Sequence, residues 1–330
     1  MALTKPPKVQ GRGGPLAAVF RLLIGVVLVA LMGGFLWALS VAGGIDAAET
    51  VDPAFTAPGR LVPVGDLTLH LREEGRPGQP AVLFLHDFDV NGGRQWLPLQ
   101  ESLDGYYRLM PDMVDFGYST RLGDVGRPHT VVGRAEATID LLNVLQIEEV
   151  HLVGAGLGGV VAAQVAALQP DLVVGLVMIA PEMYGPAPKW HEQLRSWPLI
   201  GEAYNFTFFG ASSSAARRYA AGCEEGGWCP DDTTRAEREV TSRVRGTTEA
   251  FTAFSATPAA TTLPGALSSI IAPTLILWGE RDQLTPLSEG ETLAGAIASA
   301  TLTIVPGTGH RPHLEDPVVT GQFIGEFLGG

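Results

Sequence analysis

Residues 150–160 read Val150-His-Leu-Val-Gly154-Ala-Gly156-Leu-Gly158-Gly159-Val160, an apolar run that stops at a cluster of glycines and resumes at once as a second apolar segment. A short apolar run closed by glycine is the pattern of a buried strand, and the segment after it continues at helical length. Outward from this pair the same alternation repeats. Strands are expected over 81–85, 107–110, 172–179, 274–278 and 301–305, and a hairpin over 61–64 and 67–72 turns at Gly65-Asp66. Helices are expected over 96–103, 132–145, 287–298 and 317–328. Strands alternating with helices argue for an α/β fold with a mainly parallel sheet covered by helices on both faces.

Residues 183–264 break this rhythm with helical and loop character, and read as a cap or lid inserted into a core of 60–182 and 265–330. The insertion carries Trp190, Trp197, Tyr204, Phe206, Phe208, Phe209, Trp228, Phe251 and Phe254. Aromatic side chains bury mostly for packing, so these supply the core of the cap, and a few of them line an apolar pocket above the sheet.

The net charge is −13, from 35 acidic and 22 basic residues, a sign that repels a phosphate backbone and excludes nucleic acid as a partner. Before Asp46 the only ionised side chains are Lys5, Lys8, Arg12 and Arg21. Residues 22–42 therefore read as a transmembrane helix, after a basic tail over 1–21 and before a small-residue, Pro-containing linker over 43–59. Basic residues before the span and acidic ones after it favour a cytoplasmic N-terminus and an exported globular domain, with Trp37 near the outer interface. The alternative is a signal peptide cleaved near Ser40-Val41-Ala42, but the apolar stretch exceeds the usual h-region of about 7–15 residues. Cys223 and Cys229 lie in a Gly-rich loop, and export makes a disulfide between them the natural reading. No His stands beside them, so no metal site is expected.

Five landmarks, in order, make the chain resemble the α/β-hydrolase fold family from about residue 61 to 328. His86-Asp87-Phe88 with Trp96 is similar to the family's loop after the third strand, and Pro111-Asp112-Met-Val-Asp115-Phe-Gly117-Tyr-Ser119 to its loop after the fourth. Gly154-Ala-Gly156-Leu-Gly158 resembles the nucleophile elbow, Gly279-Glu-Arg-Asp282 the acid loop and Gly307-Thr-Gly-His310 the histidine loop. The resemblance implies His310 as base, Asp282 as the group that orients it, and the N–H groups of Phe88 and Leu157 as an oxyanion hole. It implies no cofactor. Two departures stand out. The nucleophile position holds Gly156, which has no side chain to attack with, and Asp87 occupies a place where the family has glycine, so that a carboxylate would oppose a developing oxyanion unless its side chain turns away or is protonated. Ser119 lies in another loop and is not expected to substitute. His86 is expected to support its loop, and His70, His129, His151, His191 and His313 to be structural or solvated.

The same glycines also satisfy G-x-G-x-x-G, the dinucleotide fingerprint. The acidic partner would be Glu182, 28 residues after Gly154 where about 20 is usual, and the motif would sit in mid-sheet, so this reading is disfavoured. Within the favoured fold three functions compete. The first is a degenerate serine-hydrolase relative of weak or atypical activity on an ester-like substrate, the second a non-catalytic binder of a small apolar ligand, and the third a cofactor-free general-base enzyme using His310 and Asp282.

Overall fold

The structure is a computed structural model that describes residues 15–88, 91–125, 129–183, 197, 199–208, 228–256 and 265–329. Eight strands form one sheet: β1 (Arg60–Val64), β2 (Leu67–Glu74), β3 (Ala81–Leu85), β4 (Tyr107–Pro111), β5 (Val150–Ala155), β6 (Val173–Ile179), β7 (Thr274–Gly279) and β8 (Ala300–Val305). Their order is β1-β2-β4-β3-β5-β6-β7-β8. The β1/β2 and β2/β4 pairs are antiparallel and the other five pairs parallel.

Every residue of β3 and β7 is buried, as expected of strands covered on both faces. Their side chains alternate between two cores. Leu83, Leu85, Ile276 and Trp278 join the side packed by α3 (Val131–Val144) and α4 (Leu157–Leu168), while Val82, Phe84, Leu275 and Leu277 join Trp96, Leu99 and Ile324 on the other. Thr130 caps α3 by accepting the Gly133 N–H, which sets where that helix starts.

The helix expected over 96–103 is a 3₁₀ helix spanning Gly92–Ser102. Two glycines at its start and Pro98 inside it remove the preference and the N–H that an α-helix there would need. The inserted region contributes α5 (Ile200–Phe208), α6 (Asp232–Thr241) and α7 (Thr247–Ala256), followed in the core by α8 (Leu287–Ala296), α9 (Pro312–Glu315) and α10 (Pro317–Gly329). Phe251 of α7 is buried. Trp190, His191, Phe209 and Cys223 lie outside the described residues, as do the side chains of Phe208 and Phe254.

At the N-terminus α1 (Pro15–Ala48) is long and apolar enough to cross a membrane. It continues past residue 42 to Ala48, and the short α2 (Pro53–Thr56) follows. Of the two cysteines expected to bridge, Cys229 is not a free thiol and Cys223 lies outside the described residues.

One buried carboxylate ties together the loops below the site. Asp112 accepts the Gly93 N–H at 2.8 Å and the Tyr118 N–H at 2.9 Å, and it pairs with Nδ1 of His70 at 2.7 Å. His70 reaches on to the carbonyl of Pro58, and Ser119 is bound on both sides, donating to the Asp112 carbonyl at 2.6 Å and accepting the His70 N–H at 2.9 Å. Burial opposes the Asp112 charge, but His70 and the N–H donors hold its carboxyl below the usual carboxylate range. Breaking a buried pair of this kind costs about 3–5 kcal/mol. Asp112→Ala is expected to lose that much stability in denaturant unfolding of the detergent-solubilised protein, and a loss under about 1 kcal/mol would remove Asp112 from this structural role.

Candidate active site

The strand ends carry the site. Between β5 and α4, Gly156 adopts φ 49° and ψ −118°, a backbone that L side chains rarely take. Its neighbours are glycine for a different reason, close approach. A Cβ on Gly154 would strike the carbonyl of Gly158, and one on Gly158 would strike that of Leu85. The turn from strand into helix is thus tight enough to press backbone on backbone, as the motif requires.

Asp282 follows β7 and His310 follows β8, and the two meet, with His310 Nδ1 2.9 Å from Asp282 Oδ2. The Asp282 carboxylate is fixed independently of the histidine. Oδ1 accepts the N–H groups of Leu284 and Thr285 at 2.8 and 2.9 Å, and Oδ2 accepts the Thr285 hydroxyl at 2.7 Å. The His310 loop is tied down by Glu315, which accepts the N–H of Gly309 at 2.6 Å and of Arg311 at 3.2 Å.

Asp87 does not turn away from this centre. Its side chain lies over Gly156, where a Cβ would overlap its Oδ1 and Cγ outright and stand 2.9 Å from its Oδ2. The Leu157 N–H, first of α4, donates to Oδ1 at 3.1 Å, and the Phe88 N–H also hydrogen-bonds to the carboxylate. The two N–H groups expected to form an oxyanion hole therefore face the protein's own carboxylate. On the other side Arg311 donates to Oδ2 from Nε at 3.1 Å and stands 3.0 Å away through a terminal nitrogen. His310 Nε2 is 3.9 Å from Asp87 Oδ2 and 3.5 Å from Glu182 Oε1. Burial works against the Asp87 charge, yet Arg311, His310 and the two N–H donors outweigh it and bring its pKa down to about 2. Burial also works against a charged His310, but the hydrogen bond to Asp282 and the carboxylates of Glu182 and Asp87 push the imidazole up to about 10.

His86 supports its loop as expected. Its Nδ1 lies 2.6 Å from the Asp87 carbonyl and Nε2 accepts the Met113 N–H at 2.9 Å, which fixes the tautomer with the proton on Nδ1. Phe88 packs edge-on to Phe116 and, at 4.9 Å between centroids, against Phe251 of the inserted region. His313 is buried beside Gln95 and stacked on Trp96, His129 pairs with Asp115, and none of these joins the centre. Sequence reasoning missed Arg311 and assigned Glu182 no place here. The only signal for Arg311 was its position next to His310, which gives the two side chains one loop and two directions. Among the described residues no group of three or more His, Cys, Asp or Glu is arranged to hold a metal. A cavity of about 320 Å³ opens nearby between the 3₁₀ helix and α6, lined by Arg94, Gln95, Trp228, Arg238 and Leu314 among others, but it touches none of Asp87, Gly156, Asp282 or His310.

The Alpha/beta hydrolase family matches residues 82–321 of the chain. A pimeloyl-[acyl-carrier protein] methyl ester esterase of Xanthomonas campestris pv. campestris (strain B100) is 30% identical over 71% of this chain and 89% of its own length. Monoacylglycerol lipase abhd6-A of Xenopus laevis is 26% identical over 77% of each. Among solved structures, a membrane phospholipase A described as a bacterial virulence factor is 25% identical, with a TM-score of 0.67 over 94% of this chain and 98% of that one.

The charge state of the centre is measurable. A histidine whose folded pKa is raised from 6.5 to about 10 contributes stability that is whole below pH 6.5 and is lost as pH rises through about 10. Asp87, depressed from 3.8 to about 2, contributes stability present above 3.8 and lost as pH falls through about 2. NMR of selectively labelled histidine is expected to find His310 still an imidazolium at about pH 8. An ordinary midpoint close to 6.5 would contradict the network.

Proposed function

Since the chain belongs to the alpha/beta hydrolase family, we propose that it is a membrane-anchored relative of the serine esterases in which Gly156 occupies the nucleophile position and covalent acyl transfer is lost, leaving weak or atypical hydrolysis at most. The observation that carries this reading is the Asp87 carboxylate lying over Gly156 and holding the N–H groups of Leu157 and Phe88. An oxyanion developing there would meet a fixed negative charge where donors are needed, the reverse of transition-state stabilisation. Removing the serine from a triad enzyme costs on the order of 10⁶ in turnover.

In this reading His310 and Asp282 are the retained base and orienting acid, and Phe88 and Leu157 the retained oxyanion donors. The general-base alternative is disfavoured near neutrality, because an imidazole with a pKa of about 10 is already protonated. The ligand class is small and apolar or ester-like, supported by the likeness to lipases and esterases. Residues 60–182 and 265–330 form the catalytic-type core and 183–264 the cap, with the N-terminus cytoplasmic and the domain outside, supported by basic residues before the span and acidic ones after it.

Hydrolysis of p-nitrophenyl esters by the full-length protein tests this. The chain as it stands is expected to show little turnover, and Gly156→Ser alone to gain less than about tenfold, since the new side chain meets both a strained backbone and Asp87. Gly156→Ser with Asp87→Gly is expected to gain on the order of 10³-fold or more, and to lose it again with His310→Ala. A large His310-dependent gain from Gly156→Ser alone would show that Asp87 does not block the site.

A further inference from the structure

The anchor helix divides sharply along its length. From residue 16 to 37 it is exposed on all sides, with only the small Ala17 and Gly25 partly covered. That is about 33 Å of helix, close to one hydrocarbon thickness. At Ala38, fully buried, the pattern changes. Val41, Ala42, Ile45 and Ala48 are partly covered, and with Ala38 and buried Glu49 they form a stripe at three- and four-residue spacing along one face.

This face is packed by the inserted region. α1 lies against α5, and the small Ala38 and Ala42 are on the covered face of α1. At the far end Glu49 closes the junction, its carboxylate accepting the N–H of Gly246 at 2.7 Å and of Thr248 at 2.8 Å, and the Thr248 hydroxyl at 2.5 Å. These donors belong to the start of α7, so a carboxylate from the anchor caps a helix of the insertion. The Val51 N–H adds a bond to the Arg243 carbonyl at 3.0 Å. A chain held at Ala38 by packing and at Glu49 by charged hydrogen bonds has no loose joint between them.

We propose that the anchor ends in a rigid stalk, residues 38–49, that seats α5, with its first residue Ile200 and the preceding Trp197, in the headgroup layer, making this face of the insertion a lipid-binding surface. The stalk starts where the exposed span stops, so α5 reaches the helix at the level of the bilayer boundary. Trp197 is 53% exposed and Ile200 36%, an apolar pair left uncovered beside a membrane-spanning helix. Tryptophan there suits the interface, with its ring against the acyl boundary and its N–H toward water. The occupant is a zwitterionic leaflet, because the acidic charge of the chain lies beyond the span and gives no attraction to anionic lipid. An apolar ligand would then pass from the leaflet to the insertion without crossing water.

This inference rests on the reading of α1 as a membrane anchor, and one experiment separates the two. The full-length protein is reconstituted in phosphatidylcholine vesicles containing a phosphatidylcholine with a diazirine close to the headgroup, irradiated, and its labelled peptides are identified by mass spectrometry. Labels are expected in 16–37 and also in 197–208. Labelling of 16–37 alone would overturn the stalk and keep the anchor, whereas labelling of neither would overturn both. In Glu49→Ala, shown by thermal melting to remain folded, labelling of 197–208 is expected to fall about tenfold while that of 16–37 is unchanged, since charged hydrogen bonds of this kind are worth about that factor. Unchanged labelling of 197–208 in that variant would overturn the stalk as the element that seats α5.

Discussion

A carboxylate removed from water has to be compensated where it stands, and the centre of this protein is arranged around that requirement at Asp87. Left alone, a buried ion costs far more than the few kcal/mol by which a domain is stable. Asp87 is 2% exposed and ionised, and it is met from three directions: by the first N–H groups of α4 and of its own loop, by the Arg311 guanidinium, and at longer range by His310. The donors come from three strand ends, with Phe88 after β3, Leu157 after β5, and Arg311 and His310 both after β8. The sheet order, which sets β3 beside β5 and brings β7 and β8 to the same edge, is what makes the compensation possible.

Gly156 and Asp87 are two halves of one arrangement. Any side chain at 156 would overlap the carboxylate, and without the carboxylate the space above Gly156 would expose donors with nothing to bind. The positive φ of Gly156 and the close approaches at Gly154 and Gly158 belong to the turn itself and would be needed with any residue between them. Two constraints therefore act on residue 156, one from backbone geometry and one from Asp87, and glycine meets both.

Much of this was legible in the sequence. The strands could be read because buried strands are continuous apolar runs, and Asp282 and His310 could be paired because each follows its own strand at the same edge. A helix was legible over 96–103 but not its type, since apolar spacing does not tell a 3₁₀ from an α-helix and only Gly92, Gly93 and Pro98 bear on it. The sequence also raised the right question about Asp87 but could not say where its side chain points, which depends on Arg311 across the sheet. Arg311 carries no motif of its own. The end of the membrane helix was hidden for a related reason: Gly43, Gly44 and the charge of Asp46 argue locally for a break, whereas the helix runs on to Ala48, packed against α5 and followed by Glu49 bound at the start of α7, both distant in sequence.

The persistence of an Asp–His pair beside a glycine at the elbow looks at first like an argument for catalysis, because a site without a nucleophile has no evident use for a base and its orienting acid. The electrostatics offer another use. His310 is held between Asp282, Glu182 and Asp87, and with Arg311 it supplies the positive charge that keeps three neighbouring carboxylates from repelling one another. Asp282 fixes the imidazolium through Nδ1 and so aims Nε2 at the other two. On the proposed reading, replacing His310 by a neutral residue would leave a carboxylate cluster with one cation fewer in a buried centre. That penalty falls on the folded state, so it holds the pair in place whether or not any substrate is turned over.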